Sequence, residues 1–207
     1  MPPVSFQSIA HIGTATSILS MDAVNFLIDP TFDNSGDFNQ ELGNFNQASG
    51  FVFVKTDDPT LGIEDLPVVD AILLSHEDHV DNLDASGRTM LNGRHVFTTL
   101  NGVKNLASPC PGVRGCAVGG CTGFVLESPS FGANEADGLP NVVYVSGDTV
   151  HIPELAKELP KRYHADVALM NLGKAVAPLP TGPVQIRMDG MQAAQLIRGI
   201  GAEKIHF

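Results

Sequence analysis

The sequence predicts an α+β protein with two sheets and helices outside them. The N-terminal part is rich in strand-like segments. Two later segments, 68–75 and 164–172, are almost continuously apolar, as is typical of strands buried on both faces. Helical patterns begin only after the first of these segments, so the chain runs from a β-rich part into mixed strands and helices. Two sheets covered by helices accommodate that order.

The N-terminal segments alternate between apolar and polar residues and predict a meander. Strands are expected over residues 4–10, 16–20 and 24–29, and the last of them runs into the turn DPTFD. Residues 33–50 are rich in Asn, Gln, Gly and Ser, which indicates a long loop. Loops of that length often form the rim or lid of a site.

The central part predicts buried strands separated by short helices and loops. VVDAILLS at 68–75 is a strand, NLDASGRTML a short helix and RHVFTTL a further strand. The stretch that follows is rich in Gly, Pro and Cys and has no period, so residues 110–121 are expected to be irregular. FVLES and NVVYVSGD return to strand character.

The C-terminal part carries clear helix signals. Residues 153–162 read as a helix with Pro153 in its first turn, and HADVALMNL reads as another buried strand. Asp189 is a candidate N-cap for the helix GMQAAQLIRGI, which Gly201 ends. EKIHF has the character of a strand. Because there are no repeats and no linker, a single domain over residues 1–207 is expected.

Composition narrows the classes of partner. The formal net charge is −11 and the few Lys and Arg are scattered, which disfavours binding to nucleic acid. The three Cys, at 110, 116 and 121, are odd in number and lack a CxxC spacing, so they predict thiols in a loop. We expect no signal peptide, no membrane span and a cytoplasmic location. The oligomeric state is not indicated.

The stretch LLSHEDHVDNLD at 73–84 predicts a metal site. His76, Asp78, His79 and Asp81 follow a buried strand within six residues. Imidazole and carboxylate groups are the ligands that zinc prefers, and catalytic zinc sites keep one position open for water. Such a water has its pKa lowered towards about 7, which makes it a nucleophile at neutral pH. A solvated polar loop is the alternative.

VVYVSGDTV at 142–150 supplies a second candidate ligand. Asp148 comes at the end of another buried strand, directly after Gly147. By itself, a Gly-Asp pair such as Gly147-Asp148 more often forms a turn than a metal ligand. Together with the first cluster it is a candidate for a carboxylate that bridges two metals.

These motifs resemble the metallo-β-lactamase superfamily, and more narrowly the branch of UlaG-like lactonases and N-acyl-phosphatidylethanolamine phospholipase D. The segments that carry the resemblance are HIGTATSILSMDAVNFLIDPTFD, DAILLSHEDHVDNLD, VVYVSGDT and IRMDGMQAAQL. The resemblance implies an αββα sandwich, incomplete here, with the metal site at one edge of two sheets. It also implies hydrolysis by a zinc-bound hydroxide, with one or two zinc ions or another divalent transition metal.

The resemblance implies a ligand set with three departures from the pattern. The implied ligands are His76, His79, Asp81, Asp148 and His206. A one-residue bulge would let His76 and His79 serve together, and Asn82 stands where the HxHxDH motif has its last His. No His occurs from 96 to 150, whereas the family has a further His in this region. We therefore expect that about 20–30 residues of the family pattern are missing near Cys116–Gly120, which leaves a connection of ordinary length, about 4–6 residues. His206 is either the final ligand or lies on the approach to it.

Two functions follow as expectations. The first is a metal-dependent hydrolase of a small polar substrate such as a lactone, ester, amide or phosphodiester, with Asp81 or Asp78 as general base. The second is a non-catalytic or defective variant of the fold that acts as a binding protein or is inert. Nuclease activity is a third class, which the acidic balance disfavours.

Overall fold

A computed structural model describes residues 6–37, 54–106, 114–117, 121–173, 176–179 and 182–207. The chain divides into two compact units. The first unit spans residues 7–120, and the second comprises residues 1–6 and 121–207. The single domain expected over residues 1–207 stays a prediction. Within the described part, no helix is long and apolar enough to span a membrane.

The first unit is built on a six-stranded sheet in the order β1-β2-β3-β6-β7-β8. β2 and β3 are antiparallel, whereas β3, β6, β7 and β8 run parallel to one another. The strands are β1 (Phe6–Gly13), β2 (Thr16–Met21), β3 (Val24–Ile28), β6 (Ala71–Leu73), β7 (His95–Thr98) and β8 (Arg114–Ala117). β4 (Gly36–Asp37) and β5 (Val54–Lys55) form a separate antiparallel pair.

The apolar run before the His cluster forms the centre of this sheet, as its composition predicts. All three residues of β6 are buried, because strands flank it on both edges and side chains cover both faces. The core around it consists mainly of aliphatic side chains: Ile12, Ile18, Leu27, Phe32, Val69, Ile72, Leu74, Leu83, Met90, Leu91, Val96 and Leu106.

The expectation of irregular structure over residues 110–121 is wrong for Arg114–Ala117. These residues form β8, paired in parallel with β7. The open edge of β7 offers backbone hydrogen bonds to any extended segment, so Gly and Cys can form a strand there without an apolar period. Residues 107–113 and 118–120 lie outside the described residues, as does most of the loop expected over 33–50, from residue 38 to its end.

Two short helices flank β7. α1 (Ala85–Thr89) begins at the N-cap Asp84, whose Oδ1 accepts a hydrogen bond from Gly87 N at 2.7 Å. α2 (Leu100–Leu106) follows β7 directly. α1 confirms the short helix expected after the His cluster. The sequence did not indicate α2, because LNGVKNL contains Gly and Asn, which are poor helix formers.

The second unit is built on a four-stranded sheet in the order β14-β11-β10-β9. β10, β11 and β14 are parallel, and β9 pairs antiparallel with β10. The strands are β9 (Phe124–Glu127), β10 (Asn141–Val145), β11 (His164–Leu169) and β14 (Lys204–His206). A hairpin of β12 (Val176–Leu179) and β13 (Gly182–Gln185) was not predicted, because its Pro residues are atypical of strands.

The helices of the second unit follow their local signals. α4 (Gly190–Ile200) has a complete capping box between Asp189 and Gln192, and Gly201 ends it in the left-handed conformation with φ 67°. α3 (Pro153–Glu158) is shorter than predicted, and Leu159–Lys161 form a 3₁₀ turn instead. Pro160 explains the difference, because it has no N–H to donate to a carbonyl oxygen of the preceding helical turn.

We expect Gly87→Ala to lower the free energy of unfolding by about 3 kcal/mol, because the site has no room for a methyl group. A Cβ on Gly87 would lie 1.9 Å from the backbone oxygen of Pro30. Gly190→Ala is the matched control, since a Cβ there has nothing within 4 Å. Urea denaturation of both variants checks this. Equal stabilities for the two variants would contradict the close packing at Gly87.

We expect the stability of the wild-type protein to fall relative to Tyr144→Phe as pH rises from 10 to about 12. Burial raises the pKa of Tyr144 from 10.0 to about 12. A raised pKa in the folded state stabilises the protein below the ordinary pKa, and this contribution disappears as pH rises through the raised value. The change amounts to about 2–3 kcal/mol, at about 1.4 kcal/mol per unit. Denaturation series at several pH values measure it, and a constant difference between the two proteins would refute it.

Candidate metal centre

The His-rich segment lies in a loop at the carboxyl end of β6. The strand ends at Leu73, so His76 and His79 lie in the irregular backbone beyond it. From His79 the chain turns, because its carbonyl oxygen accepts hydrogen bonds from Asn82 N at 3.2 Å and Leu83 N at 3.0 Å. This turn leads into α1. The segment is therefore fixed at both ends by regular structure.

The structure brings together three of the predicted ligands. The ring centroids of His76 and His79 are 5.3 Å apart, with their planes tilted by 52°. His76 Nδ1 lies 3.0 Å from Ser75 Oγ, and His79 Nδ1 lies 3.4 Å from Asp81 Oδ1. Contacts at Nδ1 set the tautomer and the orientation of an imidazole ring. The other candidate base, Asp78, is exposed.

A buried hydrogen-bond network supports this loop from below. Asp29 Oδ1 accepts from Ser75 N at 2.7 Å, and Asp29 Oδ2 accepts from Asn82 Nδ2 at 3.1 Å. Asn82 Nδ2 also donates to Ser75 Oγ at 3.1 Å. Asn82 is fully buried, so the residue where the motif has a third His forms a structural link between Asp29 and Ser75.

Asp29 is itself held in an unusual conformation. Its φ of 39° lies in the left-handed region, which a non-Gly residue adopts only at a cost of about 1–2 kcal/mol. Thr16 Oγ1 donates to the Asp29 carbonyl oxygen at 2.6 Å, and Asp29 N donates to Leu73 O at 3.0 Å. The surrounding hydrogen bonds offset the strain and aim the carboxylate at the His loop.

Glu77 points away from the His cluster and towards α2. Its buried carboxylate accepts hydrogen bonds from Asn105 Nδ2 and, at 3.5 Å, from Thr99 Oγ1. Arg88 donates to the Glu77 carbonyl oxygen at 2.9 Å. A Cβ on Gly102 would lie 3.1 Å from Glu77 Oε2, so a Gly at this position leaves room for the carboxylate. Glu77 therefore anchors the loop and is not one of its candidate ligands.

A second polar cluster, of Asp33, Lys55 and Asp84, lies at the start of α1 and also has a structural role. Asp84 Oδ2 accepts from Asp33 N at 2.7 Å, and Lys55 Nζ donates to Asp33 O at 2.7 Å. Burial raises the pKa of Asp84, with the hydrogen bonds from Asp33 and Gly87 acting in the opposite direction. Burial lowers the pKa of Lys55, and the nearby Asp84 and Asp33 counteract this. The cluster caps α1 and holds the segment after β3.

In the second unit, Asp148 lies where the sequence predicts it, directly beyond β10 and after Gly147, whose φ is 54°. Its side chain is 9% exposed. Asp148 Oδ1 accepts a hydrogen bond from Asn171 Nδ2 at 2.6 Å, and Oδ2 forms an ion pair with Arg187. Both carboxylate oxygens therefore bind other side chains of the same unit.

His206 is exposed and lies in β14, at the same edge of the parallel strands as Asp148. Its carbonyl oxygen accepts a hydrogen bond from Met170 N at 2.9 Å, so its backbone is part of the sheet. The carboxyl ends of β10, β11 and β14 meet at this edge, which is the usual place for a site in parallel sheets. Its assignment as a ligand stays a prediction.

The predicted donors fit a metal only in part. His76, His79 and Asp81 offer two imidazoles and a carboxylate, a donor set that suits zinc or another transition metal. Across the described residues, however, no group of three or more His, Cys, Asp or Glu side chains is arranged to hold a metal ion. Asp148 does not fit a bridging role in this arrangement, because a guanidinium binds its Oδ2. The complete ligand set stays a prediction.

Solved structures of several hydrolases share this fold. An isothiocyanate hydrolase from Delia radicum gut bacteria matches with a TM-score of 0.66 and 19% identity, over 95% of this chain and 82% of that one. A possible metal-dependent hydrolase from Veillonella parvula matches with a TM-score of 0.64 and 19% identity, over 97% and 84%. A metallo hydrolase from Ignicoccus hospitalis matches with a TM-score of 0.58 and 18% identity, over 95% and 79%.

The two main sheets and the helices confirm the predicted α+β class, and the likeness shows that the chain shares its fold with these hydrolases. The metallo-β-lactamase type stays a prediction. At identities below 20% the likeness establishes the fold and not the chemistry. No family model matches the chain, and no curated protein matches it.

Sequence reasoning missed the structural roles of four residues that shape the two candidate clusters, although it singled out Asn82 as a departure from the motif. Asp29 and Asn82 support the His loop, and Asn171 and Arg187 bind Asp148. The local signals were the Asp-Pro turn after β3 and the place of Asn82 in the His-rich motif. The contacts themselves join residues 23 to 53 positions apart, so no short motif indicates them.

We expect Asn82→Ala to lower the free energy of unfolding by about 2–3 kcal/mol, because Asp29 and Ser75 lose a buried donor. Asn82→Asp should cost more, since it places a second carboxylate beside Asp29. Asn92→Ala, at an exposed turn position, is the control and should change stability by less than about 0.5 kcal/mol. Thermal and urea denaturation measure all three. An Asn82→Asp variant as stable as wild type would contradict the network.

Proposed function

We propose that this protein is a metal-dependent hydrolase of a small polar substrate such as a lactone, ester, amide or phosphodiester. One observation carries the proposal: His76, His79 and Asp81 lie together beyond β6 in a protein with the fold of metal-dependent hydrolases. Zinc is the metal that we propose. Within the superfamily we place the chain in the branch of UlaG-like lactonases and N-acyl-phosphatidylethanolamine phospholipase D, on the motifs that it shares with them.

The residues of the His loop have distinct roles in this proposal. His76 and His79 hold the metal, and Asp81 orients the His79 ring through Nδ1. Asp81 and the exposed Asp78 are the candidate general bases, because both are within two residues of His79 along the chain. A divalent ion in such a site supplies Lewis acidity and lowers the pKa of water. Ser75, Asn82 and Asp29 keep the loop in place.

The test is the metal content of protein purified without added zinc, measured by plasma mass spectrometry together with turnover of lactone, ester and phosphodiester probes. We expect about one zinc per chain, and we expect a chelator to abolish turnover. His76→Ala should lower zinc affinity by more than the roughly 10–100-fold that loss of a supporting residue costs.

His95→Ala is the matched control, because His95 is exposed at the start of β7 and lies outside the cluster. It should leave metal content and turnover unchanged. A folded wild-type protein that binds no metal and turns over none of the probes would contradict the proposal.

The second candidate function is a non-catalytic variant of the fold that acts as a binding protein. Two observations favour it: Asn82 is committed to Asp29 and Ser75, and Asp148 is committed to Asn171 and Arg187. Binding of metal without turnover of any probe, in protein with a cooperative thermal transition, distinguishes this candidate from the hydrolase.

A further inference from the structure

We propose that Arg187, and not a metal ion, supplies the positive charge that compensates the Asp148 carboxylate in this protein. A structural ion pair then replaces the metal contact that the resemblance implies for Asp148. The ion pair and the amide of Asn171 together satisfy the Asp148 carboxylate. Asp148 is then not a metal ligand. The inference does not rest on the proposed hydrolase activity, because a metal at the His loop is neither required nor excluded by it.

The first observation is that the pair is buried and completely hydrogen-bonded on the carboxylate side. The side chains of Arg187 and Asp148 are only 15% and 9% exposed. A buried carboxylate needs a compensating charge and hydrogen bonds, since desolvation otherwise costs several kcal/mol. Arg187 provides the charge at Oδ2, and Asn171 Nδ2 donates to Oδ1 at 2.6 Å.

The second observation is that hydrogen bonds to Arg187 and to its neighbour Met188 hold this part of the chain in place. Met188 is fully buried, and its N–H donates to the carbonyl oxygen of Thr149, the neighbour of Asp148, at 3.3 Å. Gly173 N donates to Met188 O at 3.1 Å. Gln185 Nε2 donates to Arg187 O at 2.8 Å. These bonds fix the chain at Arg187 beside the end of β10.

The third observation is that the neighbouring backbone leaves room for the arginine side chain. A Cβ on Gly173 would lie 3.3 Å from Arg187 Cδ and 3.5 Å from one of its terminal nitrogens. The loop after β11 therefore approaches Arg187 closely because residue 173 is a glycine. It also carries Asn171, so one segment supplies the amide and accommodates the guanidinium.

Simple electrostatics explains why this pair excludes a metal. Zinc requires a carboxylate oxygen at about 2.0–2.2 Å and would lie next to the guanidinium, where two like charges repel. Removal of Arg187 leaves Asp148 buried with its charge uncompensated. A divalent cation would then relieve that charge. Arg187→Gln should therefore create zinc affinity that depends on Asp148.

The experiment is a calorimetric titration of the chelator-treated full chain with zinc chloride. Wild type and Asp148→Asn should bind zinc with affinities that agree within about twofold. If Asp148 does not contact the metal, its replacement leaves the affinity of the protein for zinc unchanged. Arg187→Gln should bind zinc about tenfold or more tightly than wild type, since residues near a metal change its affinity by that much. The double variant Asp148→Asn with Arg187→Gln should lose this gain in zinc affinity. Arg198→Gln, at an exposed position of α4, is the matched control and should behave as wild type.

Two results would overturn the proposal: a loss of about tenfold or more in zinc affinity in Asp148→Asn, or no gain in Arg187→Gln. If these variants do not fold, crystals of the wild-type chain soaked in zinc decide the question. An anomalous peak at Asp148 overturns the proposal. An intact pair of Asp148 and Arg187 without such a peak supports it.

Discussion

The buried carboxylate of Asp29 is the constraint on which the candidate centre depends. It accepts a hydrogen bond from the backbone after β6 and another from Asn82, so it ties the end of β3 to both sides of the His loop. The hydrogen bonds from Thr16 and to Leu73 hold Asp29 itself in a left-handed conformation. A loop that carries His and Asp side chains on rigid supports is suited to hold a ligand, since little order is lost when the ligand binds.

Asn82 shows how one residue can shift from chemistry to structure. The resemblance implies a His ligand at this position. The shorter amide instead donates to Asp29 and Ser75 in a fully buried position. The loop thereby has a firm link to the sheet, and the proposed metal centre depends on His76, His79 and Asp81.

Asp148 shows the same shift in the second unit. Its location beyond a buried parallel strand is typical of a ligand or a catalytic group. Arg187 and Asn171 satisfy it instead, and the backbone hydrogen bonds of Met188 hold the chain beside Arg187. The protein thus shares its fold with solved hydrolases, while its own side chains bind Asn82 and Asp148, two positions that the resemblance relates to metal binding. Fold and chemistry can diverge in this way because packing of strands and helices does not depend on the ligands at the edge of a sheet.

The sequence by itself determined the features that depend on neighbours along the chain. The apolar run of β6, the Asp189 cap and the Gly201 stop of α4, and the cluster of His76, His79 and Asp81 are all local signals, and the structure contains each of them. Only the tertiary structure decided the rest. β8 became a strand because the edge of β7 was available, and Asn82 and Arg187 acquired their roles from partners 53 and 39 residues away. A buried carboxylate takes whichever charge and donors the packing brings to it, and no pattern of adjacent residues encodes that choice.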